Sequence, residues 1–329
     1  MKAIWYEQPG KAQDVLRYGE IETPEPGSGE VRVKVHVSGV NPSDTKFRSG
    51  WMGLRQPYPR TIPHNDGAGV IDAVGEGVAA ERLGERVWIY EAQRGSAFGT
   101  AAEYVVVPEH KAVTMPQELD FESGASLGVP AMTAHFLVFS DGPATNKTIL
   151  VHGGAGAVGS YAIQLAKWGG AEMAIATVSN DEKAAIATQM GADYVLNYRQ
   201  EDVVAKVREI VGRRGCDRIA DVALAANIEV NAKLIARNGV IATYESGSQP
   251  RVEIPFYDLL YKNATLRTVL VYAMSDEAHA AAARDINQAI AAGAIQHRIA
   301  ARYPLAETAQ AHDAVDSGKS IGKVVIQTN

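Results

Sequence analysis

The residues best suited to chemistry form a six-residue run, Gly154-Ala155-Gly156-Ala157-Val158-Gly159, with the spacing G-x-G-x-x-G. It follows the apolar stretch Thr148 to Val151 and opens the helix-like stretch Val158 to Trp168, the context in which such a loop binds a dinucleotide. The first glycine then permits a tight turn, the second lets the backbone approach a pyrophosphate, and the third allows close helix-to-strand packing. Unpaired N–H groups and the positive helix end face the phosphates. The alternative, glycines that merely end a strand and start a helix, sits poorly with the surrounding βαβ pattern. NAD-preferring loops place an acidic residue about twenty positions on. Here the second strand ends Ala176-Thr177-Val178-Ser179, and Ser179 leaves room for a 2′-phosphate, which points to NADPH. Asp181 and Glu182 follow inside the next helix, where they complement its dipole. Lys183, one turn into that helix, and Tyr198, after the third strand, are placed to converge on the phosphate; a solvated lysine and a half-buried tyrosine are the plainer alternative.

Alternating elements must carry that loop. After Thr148–Val151 and Val158–Trp168 come strand-like Ala174–Val178, helix-like Asp181–Met190 and strand-like Tyr194–Leu196. Helix-like Asp202–Val211, strand-like Arg218–Val222, helix-like Glu229–Arg237 and strand-like Gly239–Tyr244 continue the series. This is an α/β pattern, a doubly wound parallel sheet of about six strands. The first third is different. Glu30 to Ser38 alternates Val31, Val33, Val35 and Val37 with Arg32, Lys34 and His36, and later apolar runs are short and broken by glycine, which suits a compact antiparallel barrel. A helix is expected around Glu277–Ala292 and a terminal strand at Lys323–Ile326. The apolar run Leu266–Tyr272 is expected as a sheet-edge strand that pairs two copies, giving a homodimer or homotetramer.

Bulk properties narrow the classes. With 46% hydrophobic and 21% charged residues, the 329-residue chain reads as folded rather than disordered. A formal net charge of -6 offers no broad positive field for nucleic acid. The N-terminus lacks a secretory signal and no run approaches membrane-spanning length, so no membrane association and a cytoplasmic location are expected. A lone cysteine, Cys216, can make neither an internal disulfide nor a four-cysteine zinc site.

Ordered short motifs run along nearly the whole chain: Met1-Lys2-Ala3-Ile4, Gly39-Val40-Asn41-Pro42-Ser43-Asp44, Asp66-Gly67-Ala68-Gly69-Val70, Pro130-Ala131-Met132-Thr133-Ala134, the glycine loop, Asn197-Tyr198-Arg199 and Gly322-Lys323-Val324-Val325. In their order and spacing the chain resembles the zeta-crystallin-like quinone oxidoreductases, a zinc-free branch of the medium-chain dehydrogenase/reductase superfamily. The resemblance implies a GroES-like, mainly β catalytic domain, residues 1–120 and 268–329, with a Rossmann NADPH-binding domain, residues 121–267, inserted in it. It implies that Asn41 and Thr133 hold the nicotinamide and its ribose. Gly247-Ser248 and Val271-Tyr272 would line the cofactor's reactive end, and Lys323 is counted with the cofactor-binding positions.

Zinc-dependent relatives carry a ligand cysteine where this chain has Asn41 and a His-Glu pair where it has Asn65-Asp66, so no metal is expected; His64 stands one position early and lacks a partner cysteine. Without a Lewis acid, the substrate must be an electrophile that accepts hydride readily, a quinone or a conjugated enone. Several relatives have a tyrosine where this chain has Lys46, which either approaches substrate or snorkels to solvent. Asn41, Lys46 and Asn65 are therefore the candidates for the substrate site, and no general acid is assigned. The implied activity is NADPH-dependent quinone reduction by hydride transfer. The alternatives are reduction of conjugated enals and enones, and a non-enzymatic NADPH-binding crystallin or nucleic-acid-binding role, against which the acidic charge weighs.

Overall fold

In the computed structural model, which describes residues 1–54, 57–247 and 249–328, an antiparallel pair opens the chain. Strands β1 (Lys2–Trp5) and β2 (Arg17–Glu20) flank the short helix α1 (Ala12–Val15). Strand β3 (Glu30–Val40) then buries Val31, Val33, Val35 and Val37, and each such burial stabilises by about 1.5–3 kcal/mol. Helix α2 (Pro42–Ser49) follows, started by a proline, which already lacks the N–H that a first helical position cannot use. Strands β4 (Asp66–Val74), β5 (Arg86–Ile89), β6 (Tyr104–Pro108) and β7 (Ala112–Thr114) complete the strand-rich segment, with helix α3 (Phe121–Gly124) after them.

Helix α4 (Gly128–Phe139) leads into the alternating part: β8 (Thr148–His152), α5 (Ala157–Trp168), β9 (Met173–Val178), α6 (Asp181–Gln189), β10 (Tyr194–Asn197), α7 (Val203–Val211), β11 (Cys216–Asp221), α8 (Leu224–Leu234), β12 (Ile235–Thr243), α9 (Phe256–Leu260), β13 (Thr265–Thr268) and α10 (Asp276–Ala291). Its six strands form one parallel sheet in the order β10-β9-β8-β11-β12-β13. The winding reverses at β8, so the crevice beyond the carboxyl end of β8 is where such a sheet takes a ligand. Leu150, Ile175, Ile219 and Ile241 are fully buried in its core. Cys216 lies there too, and burial pushes its thiol up to about 12.

Strand β14 (Ile299–Pro304), helix α11 (Thr308–Asp316) and strand β15 (Lys323–Gln327) return the chain to the first sheet, whose order is β14-β15-β3-β4-β5-β7 with β6 also on β3. The chain is thus a Rossmann-type α/β unit within a GroES-like, mainly β unit. No described helix is long and apolar enough to cross a membrane.

Three boundaries differ from expectation. The units comprise residues 1–129 with 297–329, and residues 130–296, so the junctions lie beyond 120 and 268. Helix α10 packs on α5, and Gln296 N–H donates to Gln164 Oε1 at 2.6 Å, which ties residues 268–296 to the α/β unit. The helix expected at Glu229–Arg237 is α8, which starts five residues earlier and ends three earlier, at Leu234, because Ile235 already pairs with Cys216. The edge strand stops at Thr268, opposite Thr243, the last residue of β12; Val271–Ala273 is a single 3-10 turn.

Candidate cofactor and substrate sites

The glycine loop is shaped by local contacts. Gly153, just before the motif, takes the left-handed backbone of the turn, with φ 70°. Gly153 and Gly154 N–H both donate to Thr177 O, at 3.0 and 3.1 Å, which folds the loop over the end of β9. A Cβ on Gly154 would lie 2.7 Å from the Ala176 Cβ, and one on Gly159 would lie 2.2 Å from Gly153 O, so both positions require glycine for packing. Gly156 differs. It is exposed, and a Cβ there would meet only Gly153 O at 3.3 Å. It caps α5 without a side-chain hydrogen bond, and the first-turn N–H groups of Ala157, Val158 and Gly159 have no intrahelical acceptor. Open glycine surface beside the positive end of a 12-residue helix fits a pyrophosphate.

A buried network that sequence reasoning missed supports this loop. Asp221 accepts from Ala223 N–H at 2.7 Å and from the side-chain amides of Asn227 and Asn231. Asn231 Oδ1 accepts from His152 Nε2 at 2.8 Å, which leaves His152 Nδ1 to accept from Thr177 Oγ1 at 2.9 Å. Burial holds His152 below its ordinary pKa, so the ring serves as a neutral strut between β8 and β9.

Beyond β9, Ser179 is followed by Asn180, whose Oδ1 caps α6 by accepting from Lys183 N–H at 2.9 Å. Tyr198 N–H donates to Val178 O at 3.0 Å, so Ser179, Lys183 and Tyr198 gather at one strand tip. Arg199, exposed beside Tyr198, adds a second cation that the sequence reading left without a role. Among the other expected cofactor positions, Thr133 is buried in α4, Gly247 forms a turn with φ 77°, and Val271 and Tyr272 occupy the 3-10 turn. Ser248 lies outside the described residues.

The substrate-site candidates Asn41 and Asn65 meet in a buried polar cluster of the GroES-like unit. Asn41 Oδ1 accepts from Lys323 Nζ at 2.6 Å, and Asn41 Nδ2 donates to Asp66 Oδ2 at 2.8 Å. Lys323 Nζ also donates to Asp66 Oδ2 at 2.7 Å, and Asp66 Oδ1 accepts from Val129 N–H at 2.8 Å. Asp44 accepts from Asn41 N–H at 2.8 Å and from Asn65 Nδ2 at 2.9 Å. Burial, then the charge of Asp66, pushes the Asp44 carboxyl up to about 7. One expectation changes in detail: Lys323, counted with the cofactor-binding positions, is committed to Asn41 and Asp66. Lys46 lies 4.6 Å from the centre of the exposed Trp51 ring, a cation–π contact. These residues do not fit zinc, because an ammonium already occupies the carboxylate oxygen shared with Asn41 and the partners are amides. Among the described residues no three His, Cys, Asp or Glu side chains gather to hold a metal.

Behind this cluster runs a hydrogen-bond chain with a fixed direction. Arg48 Nε can only donate, so His312 Nδ1 accepts it at 3.1 Å and neutral His312 carries its proton on Nε2. That proton goes to His64 Nε2 at 2.7 Å, His64 Nδ1–H goes to Ser38 Oγ at 2.9 Å, and Ser38 donates to Thr100 Oγ1 at 2.7 Å. Thr100 Oγ1 ends the chain on Asp66 O at 2.6 Å. Burial and the Arg48 charge hold His312 at about 3, and burial, His312 and Lys323 hold His64 well below its usual value, so both rings stay neutral. His64 adopts φ 83°, a left-handed conformation uncommon for a residue with a side chain, and the chain anchors it there.

Comparisons with known proteins agree with this architecture. Residues 27–117 match the alcohol dehydrogenase GroES-like domain and residues 157–287 match the zinc-binding dehydrogenase family. The quinone oxidoreductase of Homo sapiens is 30% identical, over 99% of this chain and 97% of that protein. The 2-haloacrylate reductase of a Burkholderia species is 28% identical over 99% and 98%. A mycobacterial protein solved in complex with NADPH is 31% identical, covers 99% of this chain and 100% of its own, and superposes with a TM-score of 0.86. The chain belongs to the zeta-crystallin-like quinone oxidoreductase family of the medium-chain dehydrogenase/reductase superfamily.

Proposed function

We propose that the chain is an NADPH-dependent quinone reductase. The observation that carries this reading is the open, glycine-surfaced N-terminus of α5 beside a strand tip that bears Ser179, Lys183, Tyr198 and Arg199 and no carboxylate on Ser179's position. The loop N–H groups bind the pyrophosphate, and the tip cations bind the 2′-phosphate. NADPH, bound there, supplies a hydride. Asn41, fixed as a donor by Lys323 and Asp66, holds an oxygen of the nicotinamide or of the quinone on which negative charge develops, and a proton from water completes reduction. Gly247, Val271 and Tyr272 are assigned to the wall around the nicotinamide, and Thr133 to its ribose.

A second reading, reduction of a conjugated carbon–carbon double bond, is favoured by the similarity to a protein named 2-haloacrylate reductase. Both reactions use the same hydride geometry. A spectrophotometric screen of NADPH oxidation against quinones, enals and enones separates them: turnover of quinones supports the first reading, turnover of enals or enones alone replaces it with the second, and inertness toward all of them overturns both.

The working unit in this proposal is a homodimer or homotetramer in the cytoplasm. Among the described residues, edge strand β13 leaves one row of backbone groups without a strand partner; exposed Leu266 lies on it, exposed Leu270 follows it and exposed Phe256, Tyr257, Leu260 and Tyr261 precede it in the chain, so pairing with a second copy would cover the free edge. The free, buried Cys216 suits a reducing compartment.

A further inference from the structure

Charged neighbours fix the amides of Asn41 and Asn65 in opposite senses. Lys323 cannot accept a hydrogen bond, so it must face Asn41 Oδ1, and the carboxylate of Asp66 takes one Nδ2 hydrogen. One Asn41 amide hydrogen remains unused among the described residues. Asn65 is the mirror case. Its Nδ2 is drawn to Asp44, and its Oδ1 is buried with no hydrogen-bond partner among the described residues, although the side chain is only 5% exposed. An acceptor desolvated in this way costs about 1–3 kcal/mol until a donor reaches it. The same Asp44 carboxylate that holds Asn65 also accepts from Asn41 N–H, so a spare donor and an orphan acceptor sit on one rigid cluster.

We infer that Asn65 is a specificity-determining residue. Its amide oxygen accepts a hydrogen bond from an N–H or O–H of the substrate, beside the carbonyl oxygen that takes the spare amide hydrogen of Asn41. The matching substrate class is a quinone or enone that carries a hydrogen-bond donor on the carbon next to its carbonyl, as an aminoquinone does. A carbonyl compound without such a donor fills the donor half of the pair and leaves Asn65 Oδ1 unsatisfied. This inference rests on the reductase reading above and names the substrate for that same site.

The test uses 2-methylamino-1,4-naphthoquinone and 2-dimethylamino-1,4-naphthoquinone, which differ in one N–H and one methyl, with unsubstituted 1,4-naphthoquinone and an NADPH titration as controls. The wild type should reduce the methylamino compound with a kcat/KM about ten- to a hundredfold higher than the dimethylamino one. Asn65→Leu, which has no amide oxygen, should bring that ratio to within about twofold while NADPH binds with unchanged affinity. Equal wild-type rates for the two aminoquinones overturn the inference even if the variant does not fold, and so does a preference that survives in Asn65→Leu. A wild type that fails to bind NADPH or to reduce 1,4-naphthoquinone instead removes the reductase reading and the inference with it.

Discussion

The glycine loop and the cluster around Asn41 are built by opposite means. In the loop, the contacts that fix the backbone join residues close in sequence: Gly153 to Gly159, and Gly153 to Thr177 across one βαβ unit. In the cluster, the decisive contacts join Lys323 to Asn41 across 282 residues and His64 to His312 across 248. The loop works through backbone N–H groups and tolerates few side chains, whereas the cluster works through side chains whose orientation is dictated by charges that cannot reverse their hydrogen-bond roles. A local device can be recognised from spacing alone. A device closed by the tertiary fold cannot.

Two glycines within the loop should differ most when they are replaced. Gly159→Val drives a side chain into Gly153 O and should cost more than about 4 kcal/mol in denaturant unfolding. Gly156→Val meets only one backbone atom, at 3.3 Å, so it should fold and yet fail to bind NADPH in a fluorescence titration, because the branched side chain fills the approach to the pyrophosphate. Equal stability loss in the two variants would erase the division between packing and ligand-facing glycines.

Next in size is the cluster. Lys323→Met strands the buried carboxylate of Asp66 and should cost about 3–5 kcal/mol by urea unfolding. Adding Asp66→Asn should recover much of that loss, since the uncompensated charge is then gone. A double variant no more stable than the single one would mean that Lys323 acts through packing.

These two regions also mark how far sequence reading reaches. The six parallel strands and the strand–loop–helix context of the glycine run were legible because periodicity and spacing are local signals. Asn41 and Asn65 were singled out by the family resemblance, but their partners were not: no pattern links Lys323 to Asn41, or Arg48 to His312. His64 stood out only as a histidine displaced by one position. Its left-handed backbone and its tautomer follow from Ser38 and His312, which only the fold brings to it. The early end of the edge strand was equally hidden, since it depends on where β12 stops.

The smallest effect is a pH dependence set by buried histidines. Burial holds His297 at about 4 and His312 at about 3 in the folded chain, below the ordinary histidine value near 6.5 that applies on unfolding. The unfolded chain therefore gains protons first, and stability falls as pH drops from about 6.5 toward 4. Asp44 acts in the opposite sense: its raised folded pKa favours the folded chain on the acid side and loses that contribution as pH rises through about 7. In melts between pH 7 and pH 5, His297→Leu should lower Tm less steeply than the wild type does, and an identical slope would show that another group governs the acid limb.

Titrating NADPH and NADH against the wild type and Lys183→Ala shows whether the loop and its strand tip form an NADPH site. The wild type should bind NADPH much more tightly than NADH. The variant should lose about ten- to a hundredfold for NADPH, the equivalent of roughly 1.5–3 kcal/mol from a charge-assisted hydrogen bond, and almost nothing for NADH. A wild type that prefers NADH, or equal losses for both cofactors, would contradict the account.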